Sequence, residues 1–257
     1  MPETKRLLAI ETSTDTLSVA LGSGTPGGAL WQHSGPGAAQ ASATLLPLVR
    51  DLLDQAGWPL ASLDAVVFGR GPGSFTGLRT ACAVAQGLAF GARAEGVPVL
   101  PVDTLLALAE EARHAHQQIG ESLPGAIVAL LDARMNELYV TPYACDAEGL
   151  RALAPARLCA PADLAAYLDG VLPAGASPLL AGNALQAYPQ LLANVRGVHA
   201  HALPTASALL RLAPRLLASG AALAARDALP LYVRDKVART TAEREGLRTA
   251  AATEAGS

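Results

Sequence analysis

The order of elements along this chain runs its course twice, and that doubling restricts the fold more than any other feature. Strand, strand, strand, helix, strand, helix, strand, helix is legible over residues 5–116 and again over 125–218. A repeated supersecondary unit of this size implies two similar lobes. Identity between the halves is slight, so the doubling rests on element order. In the first half, Leu7-Leu8-Ala9-Ile10 is a short apolar run ending at Glu11. Leu17, Val19 and Leu21 then alternate with smaller or polar residues, the period of a strand, and a glycine-rich turn leads to a third strand over 29–33. Leu45, Leu48, Val49, Leu52, Leu53 and Ala56 fall on one helical stripe that Gly57 closes. A strand over 64–68, a helix over 78–90 and an apolar run over 97–102 follow. The prolines of that run suit a sheet edge. Asp103 or Thr104 caps a helix reaching about His116.

From Gly125 the pattern restarts, with a buried strand over 126–131 ending at Asp132. Second and third strands are expected over 138–143 and 150–158, and a short helix from Pro161. A strand over 178–181 and a second helix after Gly182-Asn183 follow, then a weak strand over 195–198 and a helix over 205–218 despite Pro214. The chain therefore divides into lobes at 1–118 and 119–235, with an extended segment over 229–235 and a polar tail over 236–257.

Within the first half, Gly69-Arg70-Gly71-Pro72-Gly73-Ser74-Phe75-Thr76-Gly77-Leu78-Arg79 joins a buried strand to a helix, and four of these eleven residues are glycine. Such density admits positive φ and very close approach of another backbone or a ligand. Ser74 or Thr76 can cap the helix. Two readings stand side by side. One is an anion site at the helix N-terminus, although the order is neither Gly-Lys-Ser/Thr nor GxGxxG. The other is a tight turn whose glycines serve packing alone. The helix that follows carries no charge between Arg79 and Arg93, and Gly77, Ala81, Ala85 and Ala89 form a ridge of small side chains. A helix apolar all round is buried or lends a face to a partner, so a docking surface is expected here.

Hydrophobic residues make up 51% of the 257 and charged ones 16%, which excludes wholesale disorder. The net charge of −3 gives no general electrostatic reason to bind nucleic acid. Cys82, Cys145 and Cys159 sit in no CxxC pattern, which fits a reducing compartment. The first residues show no signal-peptide core, and the long uncharged stretches hold too many Gly, Pro and polar residues to span a bilayer. A cytoplasmic protein is expected.

Candidate chemistry gathers where the first strand of each half ends, at Glu11 and Asp132. In a two-lobed fold these turns face one another across a cleft. The acids could hold Mg²⁺ on a nucleotide there, with Thr12, Ser13 and Thr14 offering hydroxyls and amides to phosphate. Gly182 and Asn183 end the matching strand of the second half and belong to the same candidate cleft. Ordinary turn chemistry explains the same residue types. His114 and His116 are two apart on a helix and point to different faces. His199 and His201 have no acid or Cys nearby. No metal ligand set, no Ser-His-Asp arrangement and no HExxH is legible, and no residue stands out as catalytic.

The glycine turn, together with Leu8-Ala9-Ile10-Glu11-Thr12-Ser13-Thr14, Asp132-Ala133-Arg134-Met135-Asn136-Glu137-Leu138-Tyr139 and Pro230-Leu231-Tyr232-Val233-Arg234, closely resembles the bacterial TsaB (YeaZ) family. The resemblance runs over about residues 6–236. It implies the ASKHA α/β fold of actin, Hsp70 and sugar kinases, with two tandem βββαβαβα ribonuclease-H-like lobes. It also implies a non-catalytic subunit that dimerises with its paralogue TsaD and works with TsaE and, functionally, TsaC. Their product is threonylcarbamoylated adenosine next to the anticodon of tRNAs that read ANN codons. By this resemblance TsaD carries the transferase chemistry and holds its metal with an HxxxH motif. Thr104 and Leu108 stand where those histidines would be, and neither can hold the metal. Glu11 stands where many relatives have Asp.

The resemblance also implies that the first two helices of the N-terminal lobe pack against their counterparts in TsaD. The interface residues here would be Leu45, Leu48, Val49 and Leu52 with Gly77, Ala81, Val84, Ala85 and Leu88. Gly69 to Thr76 with Arg79 would form a structural turn, and Glu11, Thr12, Ser13, Asp132, Gly182 and Asn183 a vestigial nucleotide cleft. No cofactor would be held tightly by this chain alone, with ATP and a metal belonging to the complex. Contact with tRNA would come through the complex, with Arg70, Arg134 and Arg234 as candidates. A homodimer in isolation stays open. Competing functions are a nucleotide-binding phosphotransferase or ATPase of the same fold, and a zinc peptidase.

Overall fold

A computed structural model describes residues 5–37, 41–191 and 195–234, apart from the side chains of 41 and 42. The expected tail over 236–257 lies outside the described residues. Among the described residues eleven strands form two sheets. The first is ordered β3-β2-β1-β4-β5, from β1 (Leu7–Glu11), β2 (Thr16–Gly22), β3 (Leu30–Pro36), β4 (Ala65–Gly71) and β5 (Val99–Asp103). The second is ordered β11-β10-β6-β7-β8, from β6 (Ala126–Asp132), β7 (Leu138–Asp146), β8 (Gly149–Ala152), β10 (Leu179–Ala181) and β11 (Val198–Ala200). In both, the first strand pairs antiparallel with the second and parallel with the fourth. The doubled order is therefore a doubled topology, and the fold is that of the ASKHA class.

Several expectations move. The third strand of the second half is two short pieces, β8 and β9 (Arg157–Cys159), both paired with β7. The second strand, β7, runs on past the expected 143 to Asp146, where a turn ends it, the Asp146 carboxylate accepting from the amides of Glu148 and Gly149. The weak strand sits at Val198–Ala200 rather than 195–198. The proline-bearing β5 does lie at a sheet edge, where a missing N–H costs nothing.

Among the described residues the α-helices are α1 (Ala41–Ala56), α2 (Phe75–Gly91), α3 (Thr104–Gln118), α4 (Leu164–Val171), α5 (Ala184–Ala187) and α6 (Ala206–Ala218). They make the molecule five layers deep. On one face of the first sheet, Leu8, Ile10, Val19 and Phe68 pack against Leu45, Val49 and Leu52 of α1 and Ala81, Ala85 and Ala89 of α2. On its other face, Leu7, Ala9, Val67 and Leu100 meet Ala206, Leu209, Leu210 and Ala213 of α6. The second sheet takes Leu105, Leu108 and Ala112 of α3 on one face and Leu164 and Leu168 of α4 on the other.

The last helix of each half thus lies on the sheet of the opposite half. Sequence boundaries at 118 and 119 are not packing boundaries. Between α3 and α6 runs a charged seam. Glu110, whose side chain is 4% exposed, accepts from Arg113 (2.7 and 3.0 Å) and from Arg211 (3.0 Å). Arg211 also reaches Glu111 (2.6 Å), which accepts from Thr205 Oγ1 at 2.7 Å. A carboxylate this deep is tolerated because cations and hydrogen bonds surround it.

Candidate functional site: the inter-lobe cleft and the outer face of helix α2

The glycine turn resolves into a set of close approaches. A Cβ at Gly69 would strike the Glu11 carboxylate, one at Gly73 would meet Ser13 O at 2.5 Å, and one at Gly77 would fall on Thr12 O. Gly71, at φ 123, leaves no room for a Cβ beside Leu231 O. Ser74 is the N-cap of α2 and its hydroxyl accepts from Gly77 N at 3.5 Å, while its own amide donates to Ser13 O at 2.7 Å. Asp103 is the N-cap residue of α3, as expected, but its side chain makes no capping hydrogen bond, and both it and Thr104 serve the turn. Asp103 pairs with Arg70 at 2.6 Å, and Thr104 Oγ1 accepts from Gly71 N at 3.2 Å. The turn is used for packing, and of the two readings the structure favours this one.

The cleft, of about 300 Å³, lies between the lobes and is lined by Ser13, Asp15, Ser74, Asp132, Arg134, Asn183 and Tyr232 among others. It does not gather the vestigial set as expected. Glu11 is fully buried beneath the cleft, where Oε1 accepts from Ser13 N at 2.7 Å and Oε2 has no partner. Burial pushes its carboxyl above the ordinary range, against the smaller opposing effect of the hydrogen bonds from Ser13 and Thr12. Thr12 is buried too and donates to Gly77 O at 2.8 Å. Gly182, at φ 139, is a packing glycine pressed onto Leu130 O. Asn183 does reach the cleft, but its Oδ1 is taken by Asp132 N at 2.9 Å.

Asp132 is the acid that remains, and it is fully engaged. Its Oδ1 accepts from Arg134 N (2.8 Å) and Tyr188 Oη (3.0 Å), and its Oδ2 lies 3.5 Å from the Arg134 guanidinium. The same guanidinium reaches across to Asp15 at 3.0 Å. A cation bridging the lobes would sit where the Arg134 guanidinium already lies, within 3.0 Å of Asp15 and 3.5 Å of Asp132. With Glu11 sealed away, the residues present do not fit a metal-bound nucleotide. Among the described residues no group of three or more His, Cys, Asp or Glu is placed to hold a metal. At the HxxxH position, Thr104 is spent on the turn and Leu108 is core.

One feature escapes pattern reading altogether: Arg134, Met135 and Asn136 all have positive φ (62, 57 and 60°). For residues other than glycine this costs about 1–2 kcal/mol each. The hairpin is held by Ala133 N donating to Glu137 O at 2.9 Å and by Arg234, which donates to Ala133 O at 3.0 Å and pairs with Glu137. Arg70, Arg134 and Arg234 are therefore each paired with an acid.

The helix pair needs a correction. Leu45, Val49, Leu52, Gly77, Ala81 and Ala85 are buried in the chain's own core, because their stripe is the one that meets the sheet. Leu48, Val84 and Leu88 are half-buried at its rim. The outer face of α2 exposes Ala83, Gly87 and Phe90, the last 80% exposed, and Leu46 of α1 is exposed as well.

Fold and cleft together define a two-lobed ASKHA protein whose inter-lobe acids are internally neutralised or sealed. The family model for TsaD, tRNA N6-adenosine threonylcarbamoyltransferase, matches residues 37–242. The Escherichia coli tRNA threonylcarbamoyladenosine biosynthesis protein TsaB is 32% identical over 91% of this chain and 96% of its own length. The Haemophilus influenzae TsaB is 43% identical over 52% of this chain, a match spanning about half of that protein. YeaZ from Pseudomonas aeruginosa superposes with a TM-score of 0.73 at 35% identity, covering 89% of this chain and 99% of its own. A second P. aeruginosa structure, described as similar to the peptidase YEAZ, gives 0.74 at 35% identity over 90% and 100%. The chain belongs to the TsaB (YeaZ) family.

Proposed function

We propose that this chain is a non-catalytic subunit in the biosynthesis of threonylcarbamoyladenosine on tRNA, and that it docks to TsaD through α1 and α2. The observation that carries the docking is the outer face of α2. It runs from Thr80 to Ala92 without a charge, and it still presents Ala83, Gly87 and Phe90 after the inner face has been buried. Small residues on an uncharged helix permit close approach of a second helix, and the half-buried Val84 and Leu88 extend the apolar strip. The support for a non-catalytic role is the state of the cleft, where Arg134 answers Asp15 and Asp132. ATP, the metal and the transfer step are assigned to the TsaD half, with TsaE, TsaC and tRNA reached through the complex in the cytoplasm. A peptidase reading finds no ligand set at Thr104 and Leu108.

The test is co-elution of this chain with TsaD, for the parent and for Ala83→Glu/Gly87→Glu. Both positions are exposed, and nothing lies within 4 Å of a Cβ at Gly87. The variant is expected to fold normally, to lose TsaD, and to fail to support tRNA modification in the reconstituted reaction. Undiminished co-elution would refute the docking face. Tight binding of ATP and Mg²⁺ by the isolated chain in calorimetry would favour the phosphotransferase alternative.

A further inference from the structure

We infer that residues 229–234 form a clasp that holds the two lobes closed over the cleft. The segment leaves a 3₁₀ turn (Ala225–Asp227) anchored on α2, where Gln86 Nε2 donates to Ala225 O and Ala228 O at 2.9 and 3.1 Å. It then joins neither sheet. Within four residues it grips both lobes. On the N-terminal side, Leu231 N donates to Arg70 O at 2.7 Å, and the Tyr232 ring lies 4.7 Å from that of Phe75. Arg79 Nε donates to Tyr232 Oη at 3.3 Å. On the C-terminal side, Val233 packs into the core of the second sheet, and Arg234, 13% exposed, binds Ala133 O and Glu137.

Four residues have little slack to follow a widening cleft, since even fully extended they span at most about 13–14 Å. Separating the lobes must therefore break one anchor. Among the described residues, Asp15 and Arg134 also join the lobes across the cleft, through two side chains about three-quarters exposed. Such pairs contribute little and are screened by salt. The clasp is the stronger closure, and its weaker end is the exposed Tyr232 side. Leu231, Tyr232, Val233 and Arg234 line the same cleft as Ser13, which is 3% exposed. Release of the clasp widens the cleft in which that residue lies. The device stands independently of the docking proposal.

The experiment uses the full chain carrying Ser13→Cys, a near-isosteric probe, with Ellman's reagent as the thiol label. The parent, whose Cys82, Cys145 and Cys159 are buried, supplies the background. Labelling of Cys at position 13 is expected to be slow with the clasp intact. It should become at least tenfold faster in Ser13→Cys/Tyr232→Ala and in Ser13→Cys/Arg234→Ala at unchanged circular dichroism. Rates within twofold of Ser13→Cys in folded variants would overturn the clasp. If either variant fails to fold, the urea dependence of labelling in Ser13→Cys alone decides. A slope far below that of global unfolding supports a separate opening, and a slope equal to it overturns one.

Discussion

Gly77 and Gly87 sit on the same helix, three turns of which lie between a crowded end and an open one, and the two predict opposite responses to alanine. A Cβ at Gly77 would fall well inside 3.0 Å of the Thr12 carbonyl oxygen, a backbone atom that cannot rotate away. The first turn of α2 and the end of β1 must separate, and over-packing of this kind costs about 1–3 kcal/mol. Separation also breaks the 2.8 Å bond from Thr12 Oγ1 to Gly77 O, leaving buried polar atoms unpaired at a further ~1–3 kcal/mol. Helix propensity returns about 1 kcal/mol. Taking the middle of each range, Gly77→Ala should lose about 3 kcal/mol. In a chain of this size that lowers Tm by roughly 6–12 °C. At Gly87 nothing lies within 4 Å of the added methyl, so only the propensity gain of about 1 kcal/mol survives and Tm should rise by ~2–4 °C. Urea and thermal denaturation of the two single variants measure both signs. A Gly77→Ala protein as stable as the parent, or a Gly87→Ala protein as damaged as Gly77→Ala, would refute the close-approach account of the glycine turn.

Two further perturbations probe buried charge. Arg211→Met leaves Glu110 with Arg113 alone and Glu111 without its cation. Each charge-assisted bond contributes about 1.5–3 kcal/mol, so a loss on the order of 3 kcal/mol is expected in urea titration, and a loss below ~1 would contradict it. Glu11 has a raised carboxyl pKa in the folded state, so the folded chain holds a proton that the unfolded chain has released. Stability must therefore fall as pH rises from the ordinary carboxyl value through the folded one. Glu11→Gln should remove that slope, raising the denaturation midpoint at pH 8 relative to the parent but not at pH 5. A parallel shift at both values would show that Glu11 does not titrate across this window.

The order of elements along the chain and the edge position of β5 were legible because hydrophobic period and proline placement encode them, whereas the order of strands within each sheet is set by pairings between segments remote in sequence. The glycine turn was legible as a turn, but its contacts were not, since Thr12, Ser13 and Leu231 are remote in sequence. The expectation for the helix pair failed for a related reason. A stripe of Leu and Ala states that a face is buried without saying against what, and here the answer for Leu45, Ala81 and Ala85 is the chain's own sheet. Likewise, acids at the ends of β1 and β6 read as a shared cleft, yet the Glu11 carboxylate turns into the space left by Gly69 and lies under the floor. The positive φ values at 134–136 carry no glycine to announce them.

The crossing of α3 and α6 has a consequence for synthesis on the ribosome. The first sheet is complete in sequence once β5 ends at Asp103, but the helix that covers its second face is not finished until Ala218. At about 5–20 residues per second, that interval lasts roughly 6–20 s. Throughout it Leu7, Ala9, Val67 and Leu100 wait for Leu209 and Leu210, so this apolar face of the nascent amino-terminal half stays without its cover until the carboxy-terminal half arrives to shield it.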